Sequence, residues 1–336
     1  MKSFASVLLT VMVLVTLLLA SCAPAPAPTP VSLAPTPTPV PKVAMIMANP
    51  ADDMGWGTQG YLGIMKAMEE HGVDVSVSEC VEVADAEAVM HDYASRGYDL
   101  IIAHGFQYSE AISEVSKDFP DKWFVITCGN MSSPNLASYN VKVHELGYLA
   151  GVLAALMSKS GKIAGLAGME LPGCVALLEG YRLGAKSVNP DIDVRLEYLG
   201  TFADIAKGKE ATLALIAEGF DVFFHDAGLD GAGMIKAAEE KGVHAIGFPL
   251  DQSMIAPETV IASALQRYDK VMVRIVGDFL SGEMKGEVYR PGMAEGAYEM
   301  VYTDLVPEGI RKEVERVAQD IASGKITVPE ITKPTE

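Results

Sequence analysis

Basic residues are scarce in this chain: 26 Lys and Arg stand against 44 Asp and Glu, a net charge of −18. That balance excludes the basic footprint by which a protein holds nucleic acid, and it speaks to solubility more than to fold. Cysteine is scarce as well, at four. No two cysteines stand at metal-ligand spacing. Beyond Cys22, the remaining Cys80, Cys128 and Cys174 are an odd set that leaves at least one thiol free. They are read as small buried hydrophobes, with pairing among them left open. A Gly-Lys-Ser/Thr phosphate loop is lacking, and the Gly-rich piece 228–233 also lacks the full dinucleotide fingerprint. No clustered acids of the kind a hydrolase needs are visible, so no catalytic residue, metal or cofactor is assigned.

What is present begins with Lys2 and an apolar run from Phe4 to Ala20, the pattern of a secretory signal over residues 1–21. The run ends in Leu19-Ala20-Ser21-Cys22, which resembles a bacterial lipobox. The resemblance implies that Cys22 becomes the diacylated first residue of the mature chain, held at a membrane by its acyl groups. Removing the signal takes away Lys2 and no acid, so −18 becomes −19. A membrane-spanning anchor is the competing reading, since about 17 apolar residues approach the lower limit for a span. From Cys22 to residue 41 the chain is Pro-rich and unable to build a core, a semi-rigid spacer.

From residue 42 onward, short apolar runs alternate with longer helical patterns. The strands read as nearly continuous hydrophobic segments, which predicts parallel sheets covered on both faces by helices. The length exceeds one ordinary core, and the pattern restarts after Asn140. The expected fold is therefore α/β, with two Rossmann-like lobes. An N-terminal lobe over 42–142, with return segments from about 265–300, would face a C-terminal lobe over 143–264. A final helix and tail would occupy 301–336. In the second lobe's first helix, Ala150, Gly151, Ala154 and Ala155 would permit close packing. One β segment is expected near 288–302.

In open α/β sheets ligands bind beyond the carboxyl ends of the strands. The loops there are 49–58, 104–108, 128–130, 200–204, 226–231 and 247–252. They carry aromatic or polar groups, often beside Gly, as a cleft for a flat polar ligand requires. Trp56, Phe106, Phe202, Tyr108 and Phe248 are candidates for stacking. Asp53 and Asp251 are candidates for hydrogen bonding, although Asp53 could instead cap the following helix and Asp251 a local turn. Asp226 is a weaker candidate, and Asp204 is expected to cap a helix. His104 and His225 could each reach the cleft or be satisfied structurally.

The order and spacing of several pieces resemble the basic membrane protein family, bacterial lipoproteins that serve ABC importers and whose PnrA-related members bind purine nucleosides. The carrying pieces are Asp53-Met-Gly-Trp56, Glu145-Leu-Gly-Tyr-Leu-Ala-Gly151, Gly180-Tyr-Arg-Leu-Gly-Ala185, Thr201-Phe-Ala-Asp204 and Asp251-Gln252. The resemblance covers nearly the whole mature chain. It implies a type I periplasmic binding protein with three crossings between lobes. It also implies ligand contact at Asp53, Trp56, Cys128, Phe202, Gly228 and Asp251, to which Phe106 is added on its loop position alone. At four positions the chain departs from the family: Gly57 stands for an Asn, Cys128 and Pro249 for acids, and Gln266 for a Lys. Those groups handle the sugar and polar edges of a nucleoside, so a free purine base is expected at least as much as a nucleoside. The implied partners are ABC permease subunits and a membrane reached through the lipid anchor, on its extracytoplasmic side. A tethered sensor acting through another protein is the alternative; a nucleoside-processing enzyme is the other.

Overall fold

Apolar runs too continuous for a sheet with one wet face build two covered sheets. The computed structural model describes residues 40–53 and 55–335. The apolar leader, Cys22 and nearly all of the Pro-rich segment lie outside the described residues. The first lobe runs β1 (Lys42–Met47), α1 (Trp56–His71), β2 (Asp74–Ser78), α2 (Ala86–Ser95), β3 (Leu100–His104), α3 (Ser109–Asp118), β4 (Trp123–Thr127) and β5 (Leu136–Tyr139). The second runs α4 (Val143–Met157), β6 (Lys162–Ala167), α5 (Pro172–Val188), β7 (Asp193–Tyr198), α6 (Ile205–Ala217), β8 (Val222–Asp226), α7 (Gly228–Lys241), β9 (His244–Gly247) and β10 (Val260–Gln266). After these come α8 (Tyr268–Ser281), β11 (Val288–Tyr289), β12 (Tyr298–Tyr302) and α9 (Glu308–Ala322). Every residue of β1 after Lys42, and all of β3, is buried, as expected of parallel strands under helices on both faces.

The first sheet has the order β11-β5-β4-β3-β1-β2 and the second β12-β10-β9-β8-β6-β7. All pairings are parallel except β10 with β12. Two strands escaped the sequence pattern. Leu136–Tyr139 is only four residues long, and Val260–Gln266 is diluted by Ala and Ser, yet both are almost wholly buried. The β segment expected over 288–302 is two strands in different sheets, because the chain crosses between lobes at residues 290–297. Residue 298 therefore already belongs to the second sheet.

The chain crosses between lobes three times, and backbone hydrogen bonds bind the crossings together. Asn140 donates to the Tyr289 carbonyl (2.9 Å), Lys142 to that of Pro291 (2.9 Å) and Arg267 to that of Ala297 (2.8 Å). A single apolar cluster runs through this region, including Met45, Leu146 and Tyr268. Each sheet has a separate core on its other face, around Ile46 and Ile101 in one lobe and Leu166 and Phe223 in the other.

Helices α4 and α5 touch through small residues, as the sequence suggests, but the contact residues are glycines. A Cβ added to Gly147 would lie 1.9 Å from the Leu177 carbonyl oxygen, and one added to Gly151 would lie 1.9 Å from that of Tyr181. The anticipated burial of the cysteines holds for Cys174 alone. Cys128 is half-buried, and Cys80 is exposed on the turn after β2, at a left-handed φ of 53°. All three thiols are free. Among the described residues no helix is long and apolar enough to cross a membrane.

Candidate functional site

The strand orders locate the site. In each sheet the order reverses beside the first strand, between β1 and β3 in one lobe and between β6 and β8 in the other. Connections leave such a switch point in opposite directions and open a crevice at the carboxyl ends of the strands. Trp56 follows β1, and His104 ends β3. Asp226 ends β8, and Gly168 follows β6.

The first-lobe wall is built on Trp56. Its indole lies flat on the His104 ring, with centroids 4.1 Å apart and planes at 9°, and Tyr268 meets it edge-on at 5.1 Å. Part of the indole remains accessible. His104 is buried, and both of its nitrogens are engaged. Nε2–H donates to the Trp56 carbonyl (3.0 Å), and Nδ1 accepts from the Thr127 hydroxyl (3.1 Å). Because a carbonyl can only accept, this assigns the tautomer. Burial pushes His104 down to about 4, so it is neutral at physiological pH. His104 is thus an uncharged support for Trp56 and has no nitrogen left for a ligand.

Asp53 takes the local role among the two open to it. Its Oδ1 accepts from the backbone N–H of Gly55 (2.8 Å) and Thr58 (2.9 Å), and Oδ2 from that of Gly57 (3.0 Å). It fastens the loop that carries Trp56 and holds the start of α1, where unpaired N–H groups favour a carboxylate. Gly57 also has a local reason: a Cβ there would meet the Pro50 carbonyl at 2.2 Å. Cys128 sits at φ 59° with its sulfur 3.5 Å from the Tyr268 hydroxyl. Burial raises its thiol to about 11, and the charge of Asp226 adds to that.

On the second lobe, Phe202 fits into space left by two glycines. A Cβ at Gly168 would stand 2.3 Å from the Phe202 ring, and one at Gly228 would stand 2.7 Å from the Phe202 carbonyl oxygen. Gly228 also needs its φ of 53°, which costs glycine little. The Leu229 N–H then donates to the Phe202 carbonyl (2.9 Å). Gly228 therefore positions Phe202. Asp251 is exposed and turns back on its own loop, Oδ1 accepting from the Ser253 N–H (3.0 Å) and the Ser263 hydroxyl (3.1 Å). Burial works to raise its carboxyl, but the hydrogen bonds from Ser253 and Ser263 hold it below the usual range. Phe106 is 46% exposed after Gly105. Asp204 caps α6, accepting from the Lys207 N–H (3.1 Å). Two aromatic candidates prove to be structural. Tyr108 is buried and donates to the Val81 carbonyl (2.6 Å), and Phe248 is buried against Phe224. His225 is buried, and its Nε2–H donates to Gln252 Oε1 (2.8 Å).

The structure thus gathers Trp56, Cys128 and Tyr268 on one wall and Phe202, Gly228 and Asp226 on the other, with Asp251 on a separate loop. Tyr268 could not be read locally, because it arrives from α8 after a crossing. Asp226 carries the main electrostatic feature. Burial raises its carboxyl to about 6, partly offset by a hydrogen bond from the Cys174 thiol. An acid raised in the fold contributes stability below its unfolded value near 3.8, and that contribution is lost as pH rises through about 6. At pH 7 Asp226 therefore destabilises the ligand-free protein, by at most about 3 kcal/mol. Asp226→Asn is expected to melt higher than the parent at pH 7, with the gap closing by pH 4. Equal melting at pH 7 would contradict this placement. Among the described residues, no group of three or more His, Cys, Asp or Glu could hold a metal ion.

The model for PnrA-like ABC transporter substrate-binding proteins matches residues 40–332. The transcriptional activator protein Med of Bacillus subtilis is 29% identical over 278 residues, 82% of this chain and 87% of that protein. A purine-binding protein of Brucella abortus is 30% identical over 288 residues, 85% of this chain and 82% of that protein. A solved ABC-transporter solute-binding protein of Conexibacter woesei superposes with a TM-score of 0.75 at 24% identity, covering 87% of this chain and 99% of that one.

Proposed function

The chain belongs to the PnrA-like family of ABC transporter substrate-binding proteins, and from that premise we propose that it captures a purine base or nucleoside between its two lobes for delivery to an ABC importer. The observation that carries this reading is the pair of supported aromatic side chains at the two switch points. Trp56 is backed by a neutral histidine, and Phe202 is set between two glycines. Flat rings offered by opposite lobes suit a flat heterocycle, since base–aromatic stacking contributes about 1–3 kcal/mol per base. The purine-binding relative, matched over most of both chains, supports the same ligand class. Contacts from both lobes would favour the closed arrangement over the open one. The role is capture, without catalysis.

The fluorescence of Trp56, one of two tryptophans, reports on the site directly. Titration with guanine, adenine, guanosine and adenosine should give saturable changes with at least one of them. No response to any of the four, with no heat in calorimetry, would end the purine reading. The N-terminal signal and Cys22 support a lipid-anchored receptor facing outward from the cell membrane. Cys22→Ser should then move the protein from the membrane fraction to the soluble one, and a membrane-bound Cys22→Ser protein would argue against the acyl anchor.

A further inference from the structure

Asp226 is an acid without a cation. It ends β8 at the second lobe's switch point with its carboxyl partly accessible. Its hydrogen-bonding neighbour is the Cys174 thiol from the first turn of α5, a weak donor that leaves most of the carboxylate's acceptor capacity free. Neither a Lys nor an Arg is among the groups that shift its carboxyl. The same charge is felt by Cys128 at the end of β4, on the opposite lobe. A carboxylate withdrawn from water with no counter-charge is destabilising unless donors reach it. The protein's own thiol is a poor answer to that need. N–H groups of a bound ligand would be a good one.

We propose that Asp226 reads the hydrogen-bonding edge of the bound base and selects a guanine-type edge over an adenine-type edge. This rests on the purine reading above. An ionised carboxylate can only accept. Guanine presents two adjacent donors, N1–H and the 2-amino group, one for each carboxylate oxygen. Adenine presents its 6-amino donor beside a ring-nitrogen acceptor, so one carboxylate oxygen would face a lone pair. A protonated carboxyl, or an amide, offers one donor and one acceptor and accommodates adenine. The preference should therefore weaken as Asp226 takes up a proton.

The groups facing Asp226 do not titrate across that range. Cys174 on α5 is held protonated by burial and by Asp226 itself, Cys128 just after β4 stays protonated up to about 11, and neighbouring His225 is neutral above about 4.

The test uses tryptophan fluorescence with guanine and adenine, on the parent protein and Asp226→Asn, at pH 7.5 and pH 5. At pH 7.5 the parent should bind guanine at least about tenfold more tightly than adenine, the discrimination a bidentate pair gives. The ratio should shrink several-fold at pH 5. In Asp226→Asn it should be small at both pH values. A parent that binds purines with a ratio unchanged by pH and by Asp226→Asn would overturn the inference and leave the purine reading standing. A parent that binds neither base would overturn both. Should Asp226→Asn fail to fold, the pH dependence of the parent alone still decides.

Discussion

Trp56→Ala is expected to weaken purine binding by about tenfold to hundredfold, the share that base–aromatic stacking contributes. The indole is held in place by three groups. His104 lies flat beneath it, Thr127 orients His104, and Tyr268 meets it edge-on. The His104 Nε2–H bond to the Trp56 carbonyl fixes the backbone of the same residue. A ring supported in this way binds without first losing rotamer freedom, which is where preorganisation adds to affinity. Trp56→Phe should keep most of the binding. Trp56→Leu, apolar but not aromatic, should lose nearly as much as Trp56→Ala. Calorimetry is the right measurement, because the variants lack the fluorescent reporter. Unchanged affinity in Trp56→Ala would remove Trp56 from the site.

The largest effect on stability is expected at Gly151, away from the cleft. A side chain there meets the backbone of the neighbouring helix, with the Tyr181 carbonyl oxygen 1.9 Å from the position of its Cβ and the Ala185 nitrogen at 2.9 Å. Main-chain atoms cannot rotate aside, so α4 and α5 must separate. Gly184 closes the same seam from the other side, where a Cβ would stand 2.0 Å from the Tyr148 carbonyl oxygen. Gly151→Val should lose about 3 kcal/mol or more, at the upper end for overpacking, because Gly147, Gly151, Gly180 and Gly184 share one contact that cannot relax locally. Denaturant unfolding measures it. Gly161→Ala is a suitable comparison: Gly161 has open space around it, and only its φ of 72° is strained by the change. A Gly151→Val protein as stable as the parent would mean that the helices do not pack as described.

Most of the architecture was legible because hydrophobic period and burial coincide. Trp56–His71, Ser109–Asp118, Trp123–Thr127 and Tyr268–Ser281 fall where their patterns place them. The two strands that escaped have few strong β-formers, and tertiary burial overrides propensity there. At the proposed site, residue type and position after a strand make Trp56 and Phe202 the stacking candidates. What the sequence could not show was which polar groups are already occupied. Asp53, His104 and Asp251 are all plausible ligand contacts by residue type, but Asp53 and His104 are fully engaged within their own loop and wall, and Asp251 has Oδ1 held by Ser253 and Ser263. Asp226 looked weaker, and no Lys or Arg is among the groups that shift its carboxyl. Position along the chain carries little information about such pairing, which depends on neighbours brought in by other elements.

A bound purine is expected to lie in the crevice between the two lobes. A crystal structure of the protein saturated with the base it binds most tightly tests this most directly. A planar bicyclic ligand is expected between Trp56 and Phe202, with a ring or amino nitrogen within hydrogen-bonding distance of Asp226. A ligand bound elsewhere on the protein, or an empty crevice at saturation, would contradict it.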